Sequence, residues 1–139
     1  MGELIAVGYW HGKGCGCEPF PIPQLLVRDG YVASLRENIC RYLDSGVEFH
    51  ACMGYSFCRF RCGIPDSRMG CRDLSDGHWL WPQGLSHYVR VHDVRLPDEF
   101  VRYMADSGWS CPRELSLSAE VGASFDFWFR WSTMARDAG

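Results

Sequence analysis

Two cysteines and two histidines in the middle of the sequence form its most specific chemical pattern. Cys58 and Cys62 are separated by three residues, and His87 and His92 follow after an intervening stretch of 24 residues. Thiolate and imidazole are the donors that zinc prefers, and a structural zinc site takes four of them in a tetrahedron. A turn bearing the cysteines, a hairpin and a helix bearing the histidines would place two donors on each side of one ion. The sequence therefore predicts a zinc site at Cys58, Cys62, His87 and His92.

The spacing of these residues departs from the commonest zinc-finger pattern. Zinc-binding cysteines are more often separated by two residues, and the stretch before the histidine pair is usually shorter. His87 and His92 are five residues apart, which is about 140° around an ideal helix. The two imidazoles therefore converge only if the helix loosens near Val91 or His92.

Other cysteines and histidines offer alternatives to this set. Cys71 and His78 lie on the predicted hairpin, and either could replace one of the four ligands, with Cys71 as the first reserve. A second partial donor set lies in a glycine-rich loop and could form another site or complete the first; it comprises His11, Cys15 and Cys17. An interpretation without metal also stays open, because free cysteine is among the residue types most often buried. Cys40 and Cys111 are predicted to be core thiols.

Segment 55–72 combines basic and aromatic side chains, a mixture that binds phosphates and stacks on the bases of single-stranded nucleic acid. The residues concerned are Tyr55, Phe57, Arg59, Phe60, Arg61, Arg68 and Arg72, with Trp79 nearby. Alternatively, the arginines pair with Asp66 and Asp73 on a solvated surface. The net charge of −3 gives the chain no general attraction for polyanions. Nucleic acid is therefore a disfavoured partner, and an unknown protein partner is expected instead.

A ligand pocket and an enzymatic function are further alternatives. Trp79 and Trp81 face the same side of their predicted strand and, with Asp76 and Arg59, could line a pocket; two core tryptophans would give the same pattern. A hydrolytic enzyme would use a metal-bound water or Cys58 as its nucleophile. The sequence contains no HExxH, GxSxG or phosphate-binding loop. We therefore expect a structural metal in a binding module, and we predict no catalytic residue.

Length and composition fit one globular domain. The chain has 139 residues, of which 47% are hydrophobic and 22% charged, values typical of globular rather than disordered chains. Residues 1–139 are thus predicted to form a single domain. The longest apolar runs fall far short of the ~18 residues of a membrane-spanning helix, and no secretory signal is recognisable. We expect a cytoplasmic protein without a membrane partner, whose eight cysteines stay reduced.

The elements that would position these residues follow from the spacing of the apolar side chains. Helical spacing predicts helices over 31–43, 84–92 and 97–108, the first capped by Asp29. Alternation predicts an edge strand at 3–9, a strand at 47–53, and a hairpin of 71–74 and 78–81 that turns at Asp76-Gly77. The aromatic alternation after residue 124 predicts a last strand over 116–133. The expected fold is α+β, with a small antiparallel sheet, about three helices and a treble-clef-like metal unit of turn, hairpin and helix.

Residues 54–101 resemble a group of small, mostly bacterial, uncharacterised proteins. The resemblance rests on GYSxCR and a following CG, then on SDGxWxWPxGLxHYVxxHxVRLPxEF, and it covers about a third of the chain. It implies that the cysteine turn, the tryptophan hairpin and the histidine helix belong to one unit. It implies no activity.

Overall fold

Five strands form one mixed sheet in this α+β chain, for which a computed structural model describes residues 3–10, 20–51, 57–115 and 122–138. The strands are β1 (Leu4–Ala6), β2 (Val47–Ala51), β3 (Arg72–Ser75), β4 (Trp79–Pro82) and β5 (Ala123–Ser124), in the order β2-β3-β4-β1-β5. Strands β2, β3 and β4 pair antiparallel, whereas β1 pairs parallel with both β4 and β5. The prediction of a purely antiparallel sheet is therefore wrong. The prediction that residues 3–9 form an edge strand is also wrong, because β1 lies inside the sheet.

Five α-helices and one 3-10 helix (Pro23–Leu26) occur in the described residues. The α-helices are α1 (Ala33–Asp44), α2 (Asp66–Met69), α3 (Leu85–His92), α4 (Asp98–Asp106) and α5 (Asp126–Ala138). The three predicted helices are present as α1, α3 and α4. Helices α2 and α5 were not predicted, so the expected number of about three was too low. Helix α1 begins after Val32 without a side-chain cap, so Asp29 does not have the predicted capping role. Within the described part of the chain, no helix is long and apolar enough to cross a membrane.

The β3–β4 hairpin has the predicted turn at Asp76-Gly77. Gly77 has a φ of 95°, a conformation that glycine adopts without steric cost. The Oδ1 atom of Asp76 accepts hydrogen bonds from the amides of His78 (2.9 Å) and Trp79 (2.7 Å). Its Oδ2 atom accepts one from the hydroxyl of Tyr42 (2.5 Å) on α1. Asp76 was predicted as a pocket residue; instead it is buried, closes the turn and ties the hairpin to α1.

The two hairpin tryptophans lie in the main hydrophobic core, between the sheet and the helices. Trp81 is fully buried, packs against Tyr42 of α1 and Phe100 of α4, and donates its indole N–H to the carbonyl oxygen of Leu43 (3.0 Å). Trp79 is 4% exposed. Both indoles of the predicted ligand pocket thus pack in the core of the described residues, and neither lines the clefts at Cys62 and His87.

The end of the chain is a helix, so the prediction of a long strand over 116–133 is wrong. From residue 122 onward, where the structure describes this stretch, β5 is a strand of two residues and α5 follows at once, its first amide lying 3.4 Å from the hydroxyl of Ser124. The buried and half-buried positions of α5 include Trp128, Trp131, Ser132 and Ala135, which is helical spacing. Trp128 is fully buried and donates its indole N–H to the carbonyl oxygen of Tyr9 (2.8 Å), which fixes α5 beside β1.

Cys40 on α1 is buried, as predicted, whereas Cys111 is only half-buried. Burial raises the pKa of the Cys40 thiol to about 11.

Because the thiolate is the reactive form, we expect iodoacetamide at pH 8 to modify the half-buried Cys71 and to leave Cys40 intact until the protein unfolds. The folded state favours the protonated Cys40 thiol, so its contribution to the free energy of unfolding should fall as the pH rises from about 9 towards 11. Peptide mass spectrometry checks the first expectation, and equal modification of both residues in the folded protein would contradict it.

Candidate metal centre

Cys58 and Cys62 lie in a tight turn just before α2. The amide of Arg61 donates to the carbonyl oxygen of Cys58 (3.0 Å), and Arg61 has a positive φ of 55°, which reverses the chain between the cysteines. The two sulfur atoms are 3.9 Å apart, far beyond the ~2.05 Å of a disulfide. Burial raises the pKa of the Cys58 thiol, while hydrogen bonds from the backbone amides of Phe60 and Cys62 act in the opposite direction. Those amides are positioned to stabilise a thiolate at Cys58.

Helix α3 presents the two histidines to this turn. Its N-cap residue is Gly84, which has a φ of 94° and lies so close to α2 that a Cβ atom there would be 2.6 Å from the carbonyl oxygen of Met69. At the other end, the amides of Asp93 and Val94 both donate to the carbonyl oxygen of Tyr88, five and six residues earlier. The last turn is therefore wider than a regular α-helical turn, which allows His92 to converge with His87. The imidazole centroids are 5.0 Å apart with planes at 77°.

The donor atoms of Cys58, Cys62, His87 and His92 all lie within 4.8 Å of one another. The Cys58 sulfur is 3.4 Å from Nε2 of His92, and the Cys62 sulfur is 3.4 Å from Nε2 of His87. Zinc bonds of ~2.3 Å to sulfur and ~2.05 Å to nitrogen at tetrahedral angles place two sulfurs about 3.8 Å apart, and a sulfur and a nitrogen about 3.6 Å apart. These three of the six donor separations agree with a zinc tetrahedron to about 0.2 Å, and the other three are no longer than 4.8 Å. The structure thus brings together the four residues that the sequence predicted, in a cluster that could hold a metal ion.

Two aromatic residues that the sequence did not identify support this cluster. The ring of Phe60 stacks on the imidazole of His92, with centroids 4.0 Å apart and planes at 6°. The hydroxyl of Tyr88 donates to the carbonyl oxygen of Phe57 (3.2 Å) and accepts from the amide of Arg59 (3.0 Å). Tyr88 therefore fastens the cysteine turn to the histidine helix. The sequence contained one signal for this role. Tyr88 lies between the two histidines, and a buried tyrosine hydroxyl needs a polar partner.

A Tyr88→Phe variant is expected to bind zinc about tenfold or more weakly, the usual effect of losing an outer-shell hydrogen bond at a metal site. The aromatic ring stays in the core, so the loss comes from the freed cysteine turn. Tyr31→Phe is the matched control, because the buried Tyr31 hydroxyl makes a similar pair of bonds with the backbone of Leu96, away from the cluster. Competition with a zinc chelator measures both affinities. Equal losses in the two variants would show that Tyr88 has no special role at the metal.

The environment of the histidines suits metal binding. Burial lowers the pKa of His87, with a further contribution from the neighbouring His92, and burial also lowers the pKa of His92. Both imidazoles are thus neutral near pH 7, which is the form that binds metal ions. Cys62 is exposed and the histidines are half-buried, whereas Cys58 is 4% exposed. An ion can therefore reach the cluster from the solvent.

Two of the alternative ligands of the sequence analysis, Cys71 and His78, do not join the cluster. Cys71 is half-buried and lies outside it. His78 is exposed and stacks on the ring of Tyr103, with centroids 4.8 Å apart. The remaining candidates are His11, Cys15 and Cys17, which fall outside the described residues.

Two arginines of segment 55–72 lie over an aromatic ring of the same segment, and a third forms an ion pair. The guanidinium groups of Arg59 and Arg61 lie 4.2 and 4.7 Å from the ring centroid of Phe57. Arg72 pairs with Glu48 (3.3 Å) instead of with Asp66 or Asp73. The buried Trp79 is not available to stack on a base, and Tyr55 lies outside the described residues.

Comparisons with protein-family models, with curated proteins and with solved structures find no significant match. The resemblance of residues 54–101 to a group of bacterial proteins stays a prediction. The donor cluster and its surroundings are the basis for inferring function.

Proposed function

We propose that this chain is a small zinc-binding module, that its ion is structural, and that it serves to bind a partner rather than to catalyse a reaction. One observation carries the proposal. The donor atoms of two cysteines and two histidines lie within 4.8 Å of one another, and three of their separations are close to those around one tetrahedral zinc ion: 3.9 Å between the sulfurs and 3.4 Å between each sulfur and one nitrogen.

The donor chemistry supports zinc over other common ions. Two thiolates and two imidazoles in a tetrahedron are typical of zinc, whereas magnesium and calcium prefer oxygen ligands and copper(II) prefers a square-planar set. The exposed position of Cys62 and the neutral histidines are compatible with uptake of the ion after folding.

A structural role is supported by the number and the origin of the donors. Four protein ligands fill a tetrahedral zinc site, whereas a catalytic zinc keeps one position for water or substrate. The ligands come from two segments separated by α2 and the β3–β4 hairpin. The ion would therefore join the cysteine turn to α3 in a treble-clef-like unit of turn, hairpin and helix.

The surroundings of the cluster give the hydrolytic alternative little support. The carboxylate of Asp76 is occupied by Tyr42 and two amides of the turn, and His78 stacks on Tyr103. Neither Asp76 nor His78 is thus placed to act as a base on a metal-bound water at the cluster.

The purified chain is expected to contain one zinc ion, and its removal by a chelator is expected to lower the melting temperature by about 10 °C or more. An ion bound a thousandfold above its dissociation constant adds about 4 kcal/mol to stability, and each kcal/mol is worth about 3 °C in a chain of this size. Elemental analysis and thermal melts with and without chelator provide the test. A chain without zinc, or a melt that the chelator leaves unchanged, would refute the structural role.

A further inference from the structure

Two neighbouring clefts lie at the metal centre. The first, of about 240 Å³, is lined by Phe57, Arg61 and Cys62, among others. The second, of about 260 Å³, is lined by His87, Arg68 and Arg90, among others. Both include Ile64 in their walls, and Cys62 and His87, which are 3.4 Å apart, lie where they meet. We call the two clefts together the arginine groove, after Arg61, Arg68 and Arg90.

A basic segment of the chain lies beside this groove. Residues 57–72 contain four arginines and one aspartate, a net charge of +3, although the whole chain has a net charge of −3. The acidic overall balance, which argued against a polyanionic partner, thus does not hold for this segment. A local positive surface on an acidic protein still attracts an anion over a distance of about one Debye length, roughly 8–10 Å.

The charged groups that line the groove leave two arginines available. Arg61 and Arg68 are exposed, and neither forms an ion pair within the part of the chain that the structure describes. Arg90 pairs with Glu37 (3.3 Å) at a largely exposed position, where such a pair contributes little and exchanges readily. Two carboxylates, those of Asp44 and Asp66, also line the groove. The carboxylate of Asp44 accepts a hydrogen bond from the hydroxyl of Ser86 (2.5 Å).

The shape and chemistry of the groove fit a single strand that carries phosphates. Its cationic side chains are all arginines, whose planar guanidinium groups bind phosphate oxygens in pairs. Arg61 is held over the ring of Phe57 (4.7 Å), which limits its freedom before a ligand binds. The two clefts are small, about 240 and 260 Å³, a size that suits one extended strand better than a folded domain.

We propose that the arginine groove binds single-stranded nucleic acid through its phosphates, without sequence specificity. This inference names the partner of the zinc-binding module and rests on the proposed function, because the ion would fix the turn that carries Arg61. Three arginines along the groove give a contact of about three phosphates. Binding is therefore weak and falls steeply with salt.

The test uses the full chain loaded with zinc and fluorescein-labelled oligonucleotides of fifteen thymidines or fifteen uridines. Fluorescence anisotropy over a salt series is expected to show a slope of about −2 in the plot of log affinity against log salt, because each phosphate contact to a single strand contributes about −0.7. An Arg61→Gln/Arg68→Gln variant is expected to bind about tenfold or more weakly in 100 mM salt, with the slope reduced to about −0.7. The single Arg68→Gln variant should lose about threefold.

The matched control is Arg102→Gln/Arg113→Gln, which removes the same charge from exposed positions outside the groove. It should bind within about twofold of the parent, since long-range attraction alone is screened by salt. An equal loss in this control, or no binding of either oligonucleotide, would overturn the proposal. Displacement of the oligonucleotide by an equimolar fifteen-residue polyglutamate peptide would also overturn it and point to an acidic protein segment.

Zinc content, measured for every variant, separates this inference from the proposed function. A chain that holds one zinc ion but binds no oligonucleotide refutes only the groove. A chain without zinc that still binds through Arg61 and Arg68 refutes only the structural metal. A double variant that keeps its zinc and its melting temperature shows that the loss of binding comes from the groove and not from unfolding.

Discussion

The Cys62→Ser variant is expected to lose stoichiometric zinc and to melt about 10 °C or more below the parent. A serine hydroxyl is a poor zinc ligand, so only three donors would remain at the centre. The Cys62 side chain is exposed, and its replacement removes almost no packing. A large fall in melting temperature therefore has one physical source, which is the ion that joins the cysteine turn to α3. Elemental analysis and a thermal melt measure the two effects.

Cys71→Ser provides the comparison for this variant. Cys71 is half-buried and lies outside the donor cluster, so the same change of sulfur to oxygen should leave the zinc content at one ion and shift stability by less than about 1 kcal/mol. Treating both variants with a chelator adds a second comparison. The Cys71→Ser protein should then melt like the Cys62→Ser protein, because both have lost the ion. If Cys62→Ser keeps its zinc, or if Cys71→Ser loses it, the assigned ligand set is wrong.

The residues of the metal centre could be predicted because donor type and chain order are visible in a sequence. The Cys58 and Cys62 pair, the Asp76-Gly77 turn and the helical spacing after Gly84 each have a local physical cause. The convergence of His87 and His92 was harder to predict, since it depends on a widened last turn of α3. That turn forms where Asp93 adopts a positive φ of 54°, a choice that the local sequence does not dictate. The link from Tyr88 to the cysteine turn spans about thirty residues and is a product of tertiary packing.

The sheet and the last helix show where alternation misleads. Phe125 to Trp131 alternates aromatic with polar or aromatic residues, which fits a strand, but Trp128, Trp131, Ser132 and Ala135 are also spaced as one helical face. The helix forms because that face packs into the core, with Trp128 fully buried against Trp10. The central position of β1 has a similar origin. A strand of three residues contains no pattern that distinguishes an edge from an interior place, and its parallel partners lie about 70 and 120 residues away in sequence.

The Asp76→Ala variant is expected to lower the free energy of unfolding by about 3 kcal/mol or more. Asp76 is 5% exposed, and its carboxylate accepts from the Tyr42 hydroxyl and from the amides of His78 and Trp79. Each buried donor left without a partner costs about 1–3 kcal/mol. Urea denaturation measures the change, and the exposed Asp106 at the end of α4 offers a control, Asp106→Ala, with an expected effect below about 0.5 kcal/mol.

The same variant also separates a structural Asp76 from one that binds a ligand or a metal. Because Asp76 is not part of the donor cluster, the Asp76→Ala protein should retain one zinc ion at temperatures well below its melt. Tyr42→Phe combined with Asp76→Ala in a double-mutant cycle should give a coupling energy of about 1–2 kcal/mol, since the two side chains share one buried hydrogen bond. A stability loss no larger than that of Asp106→Ala would contradict the role of the carboxylate in the hairpin. Zinc lost from the folded variant would show that the carboxylate serves the metal centre.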